Sequence, residues 1–144
     1  MIGVARIFFI ASLVFGMAGI LLGLSMAMRG DHGQMPTHAH IMVVGWLSFA
    51  VFGFFYHLFP VAAASMPARI HMWLAIVSLT VLVVSLYAIL AGNPGAEPIT
   101  ATASIGYLLS YLTFIWAAWP VVVKRASPSA YVGTESPAVR PELR

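Results

Sequence analysis

Charge is scarce in this chain, and cysteine is absent. Of its 144 residues only 8% are charged, whereas 61% are hydrophobic. Soluble globular proteins carry roughly 25% charged residues, which cover the surface that faces water. A chain with so few charges is expected to expose most of its surface to lipid. Without cysteine, disulfides, thiolate metal ligands and cysteine nucleophiles are excluded.

Two further absences narrow the function. No run of basic residues interleaved with aromatic residues occurs, so nucleic acid is not expected as a partner. No Asp, Glu or Lys lies inside an apolar stretch. Because proton pumps and ion-coupled transporters use such residues as relays, this absence argues against both classes.

Four apolar stretches are present, at residues 4–28, 38–62, 70–91 and 100–123. Each is near the roughly 20 residues that a helix needs to cross a bilayer. We therefore predict an all-α integral membrane protein, a four-transmembrane-helix bundle over residues 1–125, with the lipid bilayer as its surroundings. The remaining residues, 126–144, are rich in Pro, Ser, Glu and Arg and are predicted to form a disordered cytoplasmic tail.

The basic residues near the helix ends predict the orientation. Arg6, Arg69 and the pair Lys124 and Arg125 fall on one side of the membrane if every stretch spans it. Only Arg29 falls on the other side. Because Lys and Arg are enriched in cytoplasmic loops, both termini are predicted to be cytoplasmic. The expected location is the cell (inner) membrane, as a multi-pass protein.

Glycines in the first stretch suggest close helix contacts. Gly19 and Gly23 form a GxxxG pattern, which lets two helix backbones approach each other. The pattern is explained either by packing within the protomer, which we favour, or by a contact between subunits.

Histidines cluster at the start of the second stretch, where Thr37 is predicted to be the N-cap after Pro36. His38 and His40 then lie in the first turn. Residues two apart on a helix are rotated by roughly 200°, so these side chains point to nearly opposite faces. They are poorly placed to grip one metal ion together, but each can serve a different site.

The spacing alone leaves other interpretations open. Both histidines can lie in the headgroup zone, hydrogen-bonded to water. A copper site is a second alternative, because soft thioethers bind Cu(I) and three methionines lie near the same end: Met26, Met28 and Met35. His57 and His71 flank another loop and are predicted to be interfacial, with a second metal site or a proton entry point as the less favoured reading.

The stretch from His38 to Pro60 begins HAHIMVVG and ends YHLFP. It resembles the His-x-His helix of haem–copper oxidase catalytic subunits, and is most similar to the version in nitric oxide reductases and their oxidase relatives. The resemblance implies haem b, with His38 and His40 as axial ligands of two different haems. It also implies that Gly45 lets a porphyrin approach the backbone, and Arg29 is assigned to the haem propionates.

The resemblance covers one helix of four, and the copper ligands and cross-linked tyrosine of that family are absent, so oxygen reduction is not expected. The family's catalytic subunit has twelve helices in three pseudo-repeats of four. Three copies of this chain would supply the same number, which suggests a homotrimer in which His40 of one copy and His38 of the next share a haem.

Several functions follow from these expectations. A haem iron with two histidine ligands would serve electron transfer with a redox partner, and one with a single ligand would bind a small gas or substrate. A haem-dependent membrane isomerase, similar to the epoxide isomerases in size and helix count, is an enzymatic alternative. A non-haem copper-binding membrane protein and an accessory subunit of a respiratory complex are the others.

Overall fold

The computed structural model describes residues 1–123, which form four long helices. These are α1 (Gly3–Arg29), α2 (Met35–Leu58), α3 (Met66–Leu90) and α4 (Glu97–Val123). No strand occurs among the described residues. Each helix is long and apolar enough to cross a membrane. The prediction of an all-α fold with four helices able to span a membrane is therefore confirmed for the described residues, and it is consistent with a multi-pass membrane protein. The predicted tail, 126–144, lies outside the described residues.

Three of the helices, α2, α3 and α4, begin three or four residues earlier than the apolar stretches predicted. Pro36, Pro67 and Pro98 lie in the first turns of α2, α3 and α4. Proline is tolerated there because the first N–H groups of a helix have no partner within the helix. The N-cap of α2 is Gln34, so the prediction of Thr37 as the N-cap is wrong. Thr37 lies in the first turn instead, and its buried hydroxyl donates to Gln34 Oε1 at 2.8 Å.

Backbone conformation and hydrogen bonds in the loops determine where the helices end and begin. Gly30 takes a positive φ of 64° after α1, and Asp31 N–H donates to Met26 O at 3.2 Å, which closes a Schellman motif. At the end of α2, Phe59 leaves the helical conformation (φ −119°, ψ 75°), since the residue before a proline is disfavoured in the α region. A single helical turn, Pro60–Ala63, leads to α3, where Ser65 Oγ accepts from Ala68 N–H at 3.3 Å.

The glycines of α1 pack against α2 in the same protomer. A Cβ added to Gly23 would lie 2.9 Å from His38 Cε1, and one added to Gly19 would lie 3.0 Å from Met42 Cγ. The favoured explanation of the GxxxG pattern, packing within the protomer, therefore fits these contacts.

An aromatic cluster fills one half of the bundle. Its members come from all four helices and are Phe8, Phe49, Phe52, Tyr56, His71 and Phe114. Neighbouring rings lie at centroid distances such as 4.6 Å for Phe52 and His71. This half lies toward the bundle end that carries Arg6 and Arg69, called the Arg69 end below. The opposite end carries Arg29 and is called the Arg29 end.

Candidate functional site: the His-x-His helix

The backbone of α2 changes its winding at His40. Residues His40–Leu47 form a π-helix, whereas the segments before and after them are α-helical. The Ser48 hydroxyl donates to Val43 O, five residues earlier, at 2.9 Å. π-Helical stretches are rare in proteins and occur frequently at functional sites. The stretch in α2 begins at the second histidine of the motif that the sequence singled out.

His38 faces α1. Its Nδ1 lies 2.9 Å from the carbonyl oxygen of Gly19, and its half-buried ring lies against Gly23. A carbonyl oxygen only accepts hydrogen bonds, so Nδ1 carries the proton. In the neutral ring the lone pair is therefore on Nε2.

His40 is held by its own helix. Its Nδ1 lies 2.8 Å from Pro36 O, one turn earlier, and the side chain is half-buried. The same reasoning assigns the proton to Nδ1 and the lone pair to Nε2. Metal-bound histidines in proteins almost always donate their second ring N–H in this way, which fixes the tautomer and the ring orientation.

The two faces of α2 differ in exposure. The residues that follow His38 are turned inward, and they are Met42, Gly45, Phe49 and Phe52. Those that follow His40 are about half exposed, and they are Leu47, Val51 and Phe54. Each histidine thus begins a face of its own, one against α1 and one on the outside of the protomer.

Gly45 contacts the opposing helix directly. A Cβ at this position would lie 2.7 Å from Phe15 Cγ of α1. In the protomer Gly45 therefore permits close packing of α1 on α2. Its contact with a porphyrin stays a prediction.

Arg29 ends α1 and is exposed. It lines a cleft of about 200 Å³ at the Arg29 end, together with Asp31, Gln34 and Tyr87. Gln34 closes the cleft by donating from Nε2 to Tyr87 O at 3.2 Å. The assignment of Arg29 to a haem propionate stays a prediction.

Within residues 1–123, no three His, Cys, Asp or Glu side chains are grouped so that they could hold a metal ion. A haem needs only one or two protein ligands, so the His38 and His40 pair is a sufficient donor set for it. The copper site, given above as an alternative, would use methionine thioethers as ligands, and it stays an alternative.

His57 and His71 differ in their exposure. His57 is exposed, whereas His71 is fully buried, with Nδ1 lying 3.0 Å from the Tyr56 hydroxyl. His71 Nε2 has no hydrogen-bond partner within residues 1–123. The prediction treated His57 and His71 alike, whereas His71 is enclosed by protein side chains. Its only signal in the sequence was that Tyr56 and His71 flank the same loop, because its burial depends on rings from other helices.

Comparison of the chain with models of protein families, with curated proteins and with solved structures finds no match in any of the three. The likeness to haem–copper oxidases therefore rests on one helix.

Proposed function

We propose that this protein is a membrane haem b protein in which Nε2 atoms of His38 and His40 ligate haem iron between copies of the chain. One observation carries the proposal. Both imidazoles have Nδ1 within 2.9 Å of a backbone carbonyl oxygen, at Gly19 and Pro36. This leaves both Nε2 lone pairs for a metal, in the tautomer that metal-bound histidines adopt.

The surroundings of the two histidines suit a flat apolar cofactor. His40 begins an exposed apolar face formed with Leu47, Val51 and Phe54. His38 is half-buried against Gly23 of α1. A porphyrin needs such apolar walls, and the proposed trimer would bring the outer face of one copy to the next.

The ligand number decides the chemistry. With two histidine ligands, a haem supplies one-electron transfer, whereas with one it has a free position for a small ligand. The role of this chain's own residues is to hold the ring nitrogens in place. The carbonyl oxygens of Gly19 and Pro36 would perform this role, and Arg29 is proposed to neutralise a propionate.

We also propose that the Arg69 end faces the cytoplasm, in agreement with the positive-inside rule. The absence of native cysteine makes the test simple, because single cysteines can be placed at the exposed Gly95 and Ala64. A membrane-impermeant maleimide added to intact cells should label Gly95→Cys only. Labelling of Ala64→Cys alone would reverse the orientation.

The cofactor is tested by absorption spectra of protein purified in a mild detergent from haem-replete cells. We expect a b-type spectrum on reduction with dithionite, and its alteration in His38→Ala and in His40→Ala. His32→Ala is the matched control, because His32 is an exposed loop histidine outside α2. A colourless wild-type protein, or spectra unchanged in both α2 variants, would refute the haem assignment.

A further inference from the structure

A cleft of about 440 Å³ opens at the Arg69 end of the bundle. It lies between the start of α1, the end of α2 with its following turn, and the start of α3. Most of its wall is apolar, formed by residues such as Val4, Pro60 and Ala63. This cleft is separate from His38 and His40, which lie near the other end of α2.

The polar side chains of the cleft are basic or hydroxylic. Arg69 and His57 line it, and both are exposed, so that each can reach a ligand. The acidic residues among 1–123 are Asp31 and Glu97, and both lie near the Arg29 end. No carboxylate of the described part of the chain therefore competes for Arg69 at the cleft.

Tyr56 also lines the cleft and is 1% exposed. Its hydroxyl and His71 Nδ1 are 3.0 Å apart, and His71 Nε2 has no hydrogen-bond partner in the part of the chain that the structure describes. A hydroxyl and a neutral imidazole carry one polar hydrogen each. Only one of the two is used in the bond between them, so the other lacks an acceptor.

The position of that free hydrogen depends on the tautomer. With the proton on Nε2, Tyr56 donates to His71 and the free N–H lies inside the aromatic cluster. With the proton on Nδ1, His71 donates to Tyr56, and the hydrogen without an acceptor belongs to Tyr56, a residue that lines the cleft. Buried polar hydrogens without an acceptor are rare in proteins, so a ligand with a strong acceptor would favour the second arrangement.

We propose that this cleft binds the anionic head group of an amphipathic molecule. Arg69 pairs with the charge, Tyr56 donates a hydrogen bond, and His71 is the positioning residue that holds the tyrosine. The apolar wall accommodates the first carbons of the alkyl chain. A phospholipid phosphate and a fatty-acid carboxylate share this chemistry, and neither depends on the proposed haem.

Binding is tested with two probes, dodecyl phosphate and dodecanoate, titrated calorimetrically into the full chain in a neutral detergent. Arg69→Gln should weaken the binding of the preferred probe by about tenfold or more, since a charge-assisted hydrogen bond is lost. Arg6→Gln is the matched control, because Arg6 is exposed at the same end but does not line the cleft. The stronger probe identifies the head group as phosphate or carboxylate.

If Arg69→Gln and Arg6→Gln lowered the affinity for the probe equally, the proposal would be overturned. The probe would then be attracted by the positive charge of this end of the bundle and not by the cleft. Binding of uncharged dodecanol with the same affinity would overturn it as well, since the cleft would then be an apolar groove.

The role of Tyr56 and His71 is tested in the wild-type chain by the ¹⁵N chemical shifts of the His71 ring. With the probe bound, the proton is expected on Nδ1. A bound state with the proton on Nε2 would refute the hydrogen bond from Tyr56. Because no variant is required, a loss of folding cannot obscure the result.

Discussion

Most hydroxyl groups inside this bundle hydrogen-bond to a carbonyl in their own helix. Ser12 Oγ donates to Phe9 O and Ser110 Oγ to Tyr107 O, both at 2.7 Å. The pair of Tyr56 and His71 differs, because it joins α2 to α3 through side chains and both members are buried. A polar atom without a partner costs more in such surroundings than at a surface.

Tyr56→Phe tests the pair at the scale of one atom. The substitution removes only the hydroxyl and leaves both ring nitrogens of His71 without a partner. We expect the free energy of unfolding to fall by about 1–3 kcal/mol, the usual cost of an unsatisfied buried group. Unfolding in mixed detergent micelles, followed by circular dichroism, measures it. Tyr87→Phe is the control, because Tyr87 is 46% exposed; an equal loss there would contradict the argument.

The helices are held together by small residues at close approach as well as by large ones. Gly53 of α2 lies against the backbone of α1, where an added Cβ would be 3.2 Å from both Ala5 O and Phe9 N. Backbone atoms cannot rotate away as a side chain can. The separation of α1 and α2 is therefore set at this point by the absence of a side chain.

Gly53→Val should push α1 away from α2. We expect a loss of about 1–3 kcal/mol in the free energy of unfolding, as for other overpacked interiors. Ala18→Val, which enlarges an exposed position of α1, should be nearly neutral. The same unfolding measurement applies, and a neutral Gly53→Val would show that the two helices do not pack closely at this point.

The sequence predicted the four long helices well, but it did not predict where three of them begin. A helix that faces lipid must be apolar along its length, so the four spans can be identified from composition. Their first turns were missed because residues such as Pro67 and Glu97 are polar or helix-breaking in isolation, yet suit a helix start.

The π-helix and the burial of His71 could not be predicted from local composition. His71 is enclosed by Phe8, Phe52 and Phe114, which belong to three other helices. No local pattern encodes contacts of that kind. Likewise, the His-x-His motif was visible in the sequence, but the two carbonyl partners of its rings depend on where α1 and the first turn of α2 lie.

At the scale of the whole molecule, the two histidines have unequal surroundings. His38 contacts α1 within the protomer, whereas the face that follows His40 is exposed. Among the described helices of a single copy, none therefore packs against the face that follows His40. A cyclic trimer would supply an opposing helix from the next copy. In such a ring, the contact between the His40 face of one copy and a different face of the next copy occurs three times.

Co-expression of His38→Ala and His40→Ala chains tests whether a haem is shared between copies. In the proposed trimer, a copy that retains His40 can face a copy that retains His38, so each mixed trimer rebuilds one complete site. With equal expression and random assembly, about one quarter of the wild-type two-histidine haem should return, since three quarters of the trimers are mixed and each has one intact site of three. The measurement is the haem absorption of the whole trimer population. In mixed trimers isolated through two different tags, about one third of the wild-type haem is expected, since one site of three is intact. If both histidines served a haem within one protomer, or if the protein were a haem-loaded monomer, mixing the variants would restore nothing.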